Sequence, residues 1–498
     1  MDKNKSALII GAGVGGISTA IFLARNGYKV KVYEKNANPG GRCGQIVRDG
    51  HRFDLGATLF LMPSIYKSVF LSMGLKLEET ITIKPLPVIY KLYFSNGESI
   101  EFTTDLEKMD SQVEAMEKGS KGKFRTYITN GYKMFNLAYK DLLGRNFFHL
   151  FNFVNPRNVM LLFRIKTYLS HMFYAGKFFK SNNLRVAFTF QNIYVGQNPF
   201  TAPALFSMLP AAELHEGSLF PEGGMFSIVE KLVENAKSLG VEFFYNSSVG
   251  KINVTKNRAE NVLFEDGKIE KADIIVANAD LPYVYRELLP DRFRSFRLES
   301  MEYSCSAIAF HWGLDKKYSQ LGHHSIFLTE KYKENLENIF KENTLGDNPS
   351  FYVHSPVATD PSAAPENQDS ISVIVPVGHL DKKNANEWNR LKQIARNSII
   401  ERLKNEGMED IEEHIKFEIC YLPKTWNSIY NVSKGSVFGS VNHNIFQMGY
   451  FRPHNKHGKY KNLYFVGGST HPGNGVPLVL LSSKLTSERI LKDNDKTK

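Results

Sequence analysis

Glycines near the amino terminus have the spacing of a site for the phosphates of a dinucleotide. The run Gly11-Ala12-Gly13-Val14-Gly15-Gly16 follows the apolar residues 7–10 and precedes a helix-periodic apolar run at 17–23. In such a strand–turn–helix, the first glycine permits a tight turn, the second lets backbone approach a pyrophosphate, and the last lets helix and strand pack closely. Unpaired N–H groups at the helix N-terminus then face the phosphates. The pattern predicts dinucleotide contacts at Gly11, Gly13, Val14, Gly15 and Gly16.

A carboxylate stands where the ribose of an adenosine is expected. Residues 29–33 form a second strand-like run, and Glu34 follows it directly, with Lys35 next. A carboxylate at the end of this strand accepts hydrogen bonds from the ribose hydroxyls and repels a 2′-phosphate. Glu34 and Lys35 are therefore predicted cofactor contacts, and the pattern favours FAD or NAD over NADP.

A second glycine pair indicates which dinucleotide is bound. The run Pro39-Gly40-Gly41-Arg42 is followed by Phe53-Asp54-Leu55-Gly56-Ala57-Thr58. Both segments resemble the amine oxidase and phytoene desaturase superfamily, in which such a pair runs along the flavin side of the cofactor. The resemblance implies FAD, with Arg42 as a bidentate donor to phosphate or to the flavin region. It implies cofactor contacts at Gly41, Arg42, Gly56, Ala57 and Thr58.

The carboxy-terminal segment makes the resemblance more specific. Residues 462–477 contain Gly467-Gly468-Ser469-Thr470-His471-Pro472-Gly473 and end in Gly475-Val476-Pro477, an order similar to the terminal flavin motif of carotenoid desaturases. The resemblance implies that Gly467 and Gly468 approach the ribityl and phosphate groups, while a helix beginning at Val476 and Pro477 faces the flavin pyrimidine. It also implies that Val249 contacts the adenine. His471 is expected to shape the loop rather than to catalyse.

The order of the apolar runs predicts an α/β protein. We expect a Rossmann-like FAD-binding domain with a doubly wound parallel sheet, a mixed-sheet substrate domain and a helical, membrane-facing subdomain. The resemblance extends over residues 6–490. The predicted FAD-binding segments are 1–75, 213–285 and 441–498, the substrate-domain segments are 76–140 and 286–440, and the helical subdomain is 141–212.

Composition limits the possible classes of protein. The 498 residues carry a formal net charge of +11, and 42% of them are hydrophobic, which allows a large core. Cys43, Cys305 and Cys420 form no CxxC or Cys/His cluster, so we expect a reducing cytoplasm, no disulfide framework and no metal site. No transmembrane segment is predicted, because glycines or prolines interrupt each long uncharged stretch.

One region has an unusual charge pattern. Residues 142–212 contain no Asp or Glu, and their cations alternate with many phenylalanines. Basic residues beside exposed aromatic ones are typical of a segment that lies in the interface of a membrane. We expect a peripheral, monotopic protein on the inner membrane face and no binding of nucleic acid; a buried helical subdomain with a solvated face remains the alternative. The cations are Arg145, Arg157, Arg164, Lys166, Lys177, Lys180 and Arg185.

The resemblance also implies the reaction. A flavin that oxidises a carotenoid C–C bond accepts a hydride while the adjacent carbon loses a proton, and an allylic position spreads the developing charge along the polyene. The protein then chiefly positions that bond in an apolar tunnel that excludes water. Glu213 and His215 are the candidate catalytic groups, with surface or capping roles as the alternative. Oxygen or a membrane quinone is the expected electron acceptor.

Two segments bear on the substrate. Residues 190–204 resemble the bacterial desaturase branch, and residues 303–307 are similar to enzymes that desaturate apo-carotenoids or introduce a 3,4 double bond into hydroxylated carotenoids. The resemblance favours a 1-hydroxycarotenoid 3,4-desaturase, with a diapophytoene or phytoene desaturase as the alternative. A flavin-dependent carotenoid isomerase, a non-enzymatic lipid-binding relative and an amine oxidase also remain open.

Overall fold

The computed structural model describes residues 5–290, 295–380 and 385–495. Its strands are Ser6–Ile10 (β1), Lys29–Tyr33 (β2), Gln45–Arg48 (β3), His51–Asp54 (β4), Ile83–Pro85 (β5), Tyr90–Phe94 (β6), Ser99–Phe102 (β7), Leu219–Pro221 (β8), Glu242–Phe244 (β9), Val249–Thr255 (β10), Arg258–Phe264 (β11), Ile269–Glu270 (β12), Ile274–Ala277 (β13), Ser306–Leu314 (β14), His324–Leu328 (β15), Phe351–His354 (β16), Asp369–Val377 (β17), Ile415–Tyr421 (β18) and Leu463–Phe465 (β19).

The helices alternate with these strands in the first and last parts of the chain and cluster in the middle. They are Val14–Arg25 (α1), Pro63–Ser72 (α2), Leu77–Thr80 (α3), Leu106–Met116 (α4), Lys121–Ala138 (α5), Leu150–Phe153 (α6), Pro156–Arg164 (α7), His171–Ala175 (α8), Asn182–Ala187 (α9), Met208–Glu216 (α10), Phe226–Ser238 (α11), Leu281–Tyr283 (α12), Phe296–Glu299 (α13), Tyr332–Phe340 (α14), Ala385–Asn405 (α15), Pro423–Tyr430 (α16) and Val476–Asp495 (α17).

A parallel sheet gathers strands from both ends of the chain. Its order among the described residues is β19-β13-β1-β2-β9, and every pair is parallel. Alternate apolar residues of β1 enter different cores: Ala7 and Ile9 pack with α1 and α17, while Leu8 and Ile10 pack with the antiparallel strands β10 and β11. Burial on both faces explains the continuous apolar run of β1. The predicted α/β fold is confirmed.

A second, mixed sheet stands beside the first. Its described order is β18-β14-β17-β16-β15-β6-β7, in which only β15 and β6 pair in parallel. One face of this sheet packs on α15 through a separate apolar core. This sheet corresponds to the predicted substrate domain, although the exact domain boundaries stay a prediction.

The middle of the chain is helical, as predicted from residues 141–212. The helices α5 and α10 pack closely because Gly131 has no side chain: a Cβ there would lie 2.5 Å from the Ser207 carbonyl oxygen and 2.7 Å from the Ala211 Cβ. Within the described ranges, none of the helices has both the length and the apolar character that crossing a membrane requires.

Candidate functional site

The amino-terminal glycine turn and the carboxy-terminal glycine loop line one cavity of about 290 Å³. The parallel sheet brings them together, because β13 lies between β1 and β19 and all three strands end at the same edge. Ligands of such sheets bind at the carboxyl ends of the strands. The predicted contacts that line this cavity are Gly11, Gly13, Val14, Gly15, Glu34, Lys35, Gly41, Arg42, Gly56, Ala57, Val249, Gly467, Gly468 and Val476.

The other three predicted contacts lie nearby but not in this wall. Thr58 and Pro477 line a second, adjoining cavity. Gly16 lies where α1 crosses the turn, and a Cβ there would overlap the Gly11 carbonyl oxygen. The structure therefore agrees with the packing role predicted for Gly16, while the cofactor contacts of all these residues stay predictions.

The glycine turn fits the phosphates of a dinucleotide. Gly11 has φ +96°, a left-handed conformation that favours glycine. A Cβ at Gly13 would lie 2.8 Å from the Asn278 amide nitrogen, so a side chain there would fill the floor of the cavity. Among the described residues, α1 receives no side-chain cap and has no acid in its first turn. Its first N–H groups therefore remain available to an anion.

Two charged side chains that line this cavity are held by hydrogen bonds to backbone. Glu34 accepts hydrogen bonds from the backbone N–H of Ala12 at 2.8 Å and of Asn36 at 2.9 Å, which ties β2 to the glycine turn. Arg42 donates from Nη1 to the Val437 carbonyl oxygen at 3.0 Å. Burial lowers the pKa of the Arg42 guanidinium, and the Asp280 carboxylate opposes this shift.

The cavity wall also contains residues that motif comparison does not single out. Asn278 follows β13, donates to the Gly11 carbonyl oxygen at 3.2 Å and lines the cavity. Asp280 accepts hydrogen bonds from the Ser433 N–H at 3.0 Å and the Ser440 hydroxyl at 2.6 Å. A polar residue at the carboxyl end of a buried parallel strand was the available signal. Trp426, which also lines the wall, had no such signal.

A second cavity of about 260 Å³ adjoins the first. Its lining is mostly aliphatic and aromatic, and it draws on the helical region, the mixed sheet and the start of α17. The two cavities share the wall residues Gly56, Ala57, Tyr194, Ile374, Phe438, Asn474, Gly475 and Val476. A long apolar molecule in the second cavity would therefore meet the contents of the first at this shared wall.

A few polar side chains interrupt the apolar lining. Tyr332 and Asn335 lie on one face of α14, and His443 comes from the loop before β19. Within the described part of the chain, the Tyr332 hydroxyl, the Asn335 amide nitrogen and both His443 ring nitrogens have no hydrogen-bond partner. Buried polar groups are normally paired, so these three are available to a polar group of a ligand.

Glu213 lies directly behind this lining. Its carboxyl Oε2 accepts a hydrogen bond from the Tyr90 hydroxyl at 2.5 Å, and Gln191 donates to the same hydroxyl at 2.9 Å. The Tyr90 ring packs edge-on against Phe190, which lines the second cavity together with Tyr194. Burial raises the pKa of the Glu213 carboxyl to about 8, well above its ordinary 4.5.

The structure separates Glu213 from His215, the other candidate catalytic residue. His215 is exposed, stacks on the Tyr132 ring at 4.1 Å and lies close to the Ala211 carbonyl oxygen through Nδ1 at 2.8 Å. Within the described residues, His215 lines neither of the two cavities. Its catalytic role stays a prediction without support from this position.

His471 has the loop-shaping position that was expected. Its ring is buried, lies 3.0 Å through Nε2 from the Arg145 carbonyl oxygen and contacts the Phe147 ring edge-on. Burial lowers the pKa of His471 to about 3, so the imidazole is neutral. It fastens the carboxy-terminal glycine loop to the helical region.

Comparisons with known proteins agree with this geometry. A family model of flavin-containing amine oxidoreductases matches residues 14–491. The chain is 39% identical to phytoene desaturase of Fusarium fujikuroi over 99% of this chain and 90% of that protein. It is 32% identical to 4,4'-diapophytoene desaturase of Staphylococcus haemolyticus over 97% of this chain and 98% of that protein. Wild-type putrescine oxidase has the same fold, with a TM-score of 0.64 at 15% identity over 98% of this chain and 99% of that one.

The fold and the glycine-lined cavity define a flavin-dependent oxidoreductase whose cofactor is FAD. Within that class, the chain belongs to the carotenoid desaturase family, whose members act on CH–CH groups. This family is part of the flavin-containing amine oxidoreductases. The family resemblance noted in the sequence is thereby confirmed.

Proposed function

We propose that this protein desaturates a linear carotenoid precursor of the phytoene or diapophytoene type. The observation that carries the proposal is the apolar second cavity, which meets the glycine-lined cavity at Ala57 and Tyr194. The relatives named above act on such hydrocarbons, and they favour this substrate class over the 1-hydroxycarotenoid of a 3,4-desaturase that the sequence suggested. Bound FAD supplies the hydride acceptor.

The protein's own residues bind, orient and exclude water in this scheme. We assign the uncapped start of α1 to the pyrophosphate, Glu34 to the ribose and Val249 to the adenine. The Gly467–Gly468 backbone and the N-terminus of α17 at Val476 face the flavin end. All of these residues line the first cavity, which supports the assignment. Reoxidation by oxygen or a quinone stays a prediction.

Glu213 has a positioning role in this proposal. A carboxyl with a pKa of about 8 is mostly protonated at neutral pH, so it is poorly suited to accept a proton from the substrate. Its hydrogen bond with Tyr90 instead fixes the ring that packs on Phe190, and thereby one wall of the apolar cavity. In this proposal, the shape of the apolar cavity holds the C–C bond that is desaturated at the shared wall.

Filling the apolar cavity tests the function directly. The Ile193 side chain lines the second cavity and not the first. We expect Ile193→Trp to lower desaturation at least about tenfold, because the indole occupies substrate space. The measurement follows the red shift of the carotenoid absorption in liposomes with FAD-loaded protein. Normal flavin absorption in the variant would show that the first cavity is intact.

The matched control is Ile269→Trp, since Ile269 is an exposed residue of β12. It should desaturate like the wild-type protein. A wild-type protein that converts no linear hydrocarbon, or yields a product of unchanged mass, would overturn the proposal; the second result would favour an isomerase. An Ile193→Trp variant as active as the control would show that the substrate lies elsewhere.

A hydroxylated polyene is a second candidate substrate. The unpartnered Tyr332 hydroxyl and Asn335 amide in the described apolar cavity favour it, because a site with unpaired polar groups binds an oxygen function better than a bare hydrocarbon. The same assay, run with a linear hydrocarbon and its 1-hydroxy derivative, separates the two. Faster conversion of the hydroxy derivative would favour the 3,4-desaturase.

We further propose that the protein docks on an anionic membrane surface, such as the inner face of a cell membrane, through α6–α8. Large apolar side chains of this region are exposed, with Phe151 at 84% and Met160 at 61%. Cations lie beside them, and Lys177 stands 5.2 Å from the centre of the Phe173 ring. The apolar cavity comes close to this region, because Leu142 and Gly449 line it and the Phe153 ring of α6 lies against Gly449. Aromatic groups would enter the lipid boundary while cations meet the headgroups.

Replacing the exposed rings tests this docking. We expect the triple variant Phe151→Ser, Phe163→Ser, Phe173→Ser to bind anionic vesicles at least about tenfold more weakly, because each buried ring contributes about 1–2 kcal/mol. Flotation with vesicles of phosphatidylglycerol and phosphatidylcholine measures binding. Ile269→Ser, an exposed residue of β12, is the control and should float like the wild-type protein. Equal flotation of all three proteins would contradict docking through α6–α8.

A further inference from the structure

Three buried histidines meet at the start of β15 and the end of β16. The strands are antiparallel, and their register places His324 directly opposite His354, while His323 precedes β15. Each ring offers one nitrogen such that the three atoms lie within 4.8 Å of one another. All three rings are almost fully buried. The cluster is separate from the residues assigned to the two cavities, because none of the three lines either wall within the described chain.

The outward nitrogens of two rings are held by hydroxyl groups. His323 Nδ1 lies 2.7 Å from the Thr359 hydroxyl, and His324 Nδ1 lies 2.7 Å from the Tyr352 hydroxyl. Metal-binding histidines are oriented in this way by a hydrogen bond at the nitrogen that does not bind the metal. With Nδ1 held in this way, His323 and His324 keep Nε2 for another partner, and the Nε2 atom of His323 faces that of His354.

The remaining ring nitrogens are incompletely satisfied. The Nε2 atoms of His323 and His354 share one hydrogen bond at 3.2 Å, and among the described residues His324 Nε2 and His354 Nδ1 have no partner. All three rings are buried side chains of adjacent strand ends, and imidazole in its neutral form is what binds a metal ion.

We propose that His323, His324 and His354 form a tri-histidine site for Zn²⁺. Tetrahedral zinc binds imidazole nitrogen at about 2.0–2.1 Å, which places neighbouring ligand nitrogens about 3.3 Å apart. The Nε2 atoms of His323 and His354 lie 3.2 Å apart, and the three ligand nitrogens all lie within 4.8 Å of one another. Imidazole is a preferred zinc ligand. The sequence, which predicted no metal site, gives no Cys or His spacing that reveals this one.

The position of the site gives it a structural role. The Tyr352 hydroxyl lies between His324 Nδ1 and the Thr58 hydroxyl, at 2.7 Å and 2.8 Å, and both Tyr352 and Thr58 line the apolar cavity. An ion that fixes His324 also fixes Tyr352, and through it the loop that carries Ala57 at the shared wall. The zinc ion would stabilise the β15–β16 pair and this wall without touching the substrate.

Metal content and cobalt spectroscopy test the site without reference to activity. FAD-loaded protein is stripped with a chelator, supplied with Zn²⁺ or Co²⁺, desalted and analysed by elemental mass spectrometry. We expect about one zinc per chain, the visible absorption of four-coordinate Co²⁺, and a thermal midpoint that rises when Zn²⁺ is restored. His324→Gln and His354→Gln should each lose at least about nine-tenths of the bound metal.

The matched control is His171→Gln. His171 is also fully buried, but its ring nitrogens lie near the Tyr127 hydroxyl at 2.7 Å and the Asn192 amide oxygen at 2.6 Å in the helical region. It should keep the metal of the wild-type protein. Metal far below one per chain in wild-type protein, with no cobalt absorption, would show a cluster held by hydrogen bonds alone. Equal metal content per chain in the wild-type protein, His324→Gln and His354→Gln would show adventitious binding. Either result overturns the proposal, and the first does not depend on how well a variant folds.

Discussion

We expect a Glu213→Gln variant to be more stable than the wild-type protein, with a difference in the free energy of unfolding that grows as the pH rises from 5 towards 9. The Glu213 carboxyl is buried and has a pKa of about 8, compared with 4.5 ordinarily. Between these two values the unfolded chain has released the proton and the folded protein has kept it. The unfolded state therefore binds fewer protons, and wild-type stability falls as the pH rises through this window.

The size of this effect follows from the shift. A difference of one pKa unit is worth about 1.4 kcal/mol, so the full window amounts to about 5 kcal/mol as an order of magnitude. The glutamine of the variant does not titrate, and its amide oxygen can still accept the hydrogen bond from Tyr90. Below pH 4.5 the two proteins should be of similar stability, and the difference should level off above pH 8.

Denaturant midpoints measured at pH 5, 7 and 9 check this expectation. The control is Glu216→Gln, because Glu216 is only half-buried at the end of the same helix and accepts hydrogen bonds from the Ser64 backbone N–H and hydroxyl. Parallel pH curves for wild-type protein and Glu213→Gln would show that Glu213 ionises normally in the folded state. A catalytic role for Glu213 as a proton acceptor would then be feasible at neutral pH.

The helix α10 shows that closeness in the sequence does not predict which side chains share an environment in the fold. Glu213 and His215 were predicted together as candidate catalytic groups. Residues two apart on a helix point in different directions, so one side chain is buried and the other is exposed. The actual neighbour of Glu213 is Tyr90, 123 positions away in the chain. Only the packing of β6 against α10 reveals that contact.

The glycine motifs were predictable for the opposite reason. A turn such as the one at Gly11 needs a backbone conformation that few residues adopt, so the requirement is visible in the residue types themselves. The residue that closes the turn from the other side, Asn278, follows β13 and carries no comparable mark. A local requirement on backbone conformation can thus be predicted from the residue types. The contacts of a residue across a sheet cannot, because they depend on the register of the strands.

Charge patterns lie between these two cases. The run without acids at 142–212 lies in a helical region, where Phe151, Phe163 and Phe173 are exposed. Other phenylalanines of the run are buried, namely Phe147, Phe153 and Phe179. Its cations are nevertheless not all free to meet a membrane, because Arg157 pairs with Asp141 at 2.9 Å, one residue outside the run. The histidine cluster was invisible for a stronger reason. His324 and His354 meet only through the register of β15 and β16.

Replacing Gly16 with alanine should abolish stable FAD binding. The added Cβ would overlap the Gly11 carbonyl oxygen and lie 3.0 Å from the Asn278 amide nitrogen. The first of these is backbone of the phosphate-binding turn and cannot rotate away, so α1 must move off β1. Overpacking of this kind costs about 3 kcal/mol. If this strain acts on the conformation that binds FAD, the affinity for FAD falls more than about a hundredfold.

The matched control uses a glycine without such contacts. Gly122 lies in the first turn of α5 and a Cβ there meets nothing within 4 Å, so Gly122→Ala should bind FAD normally and gain about 0.5–1 kcal/mol of stability. Flavin absorbance per chain after desalting, and the rise of the thermal midpoint on adding FAD, measure the outcome. Our assignment places the pyrophosphate at the start of α1. A Gly16→Ala protein with the flavin content of the wild-type protein would therefore mean that the close packing of α1 on the glycine turn is not needed to bind the cofactor.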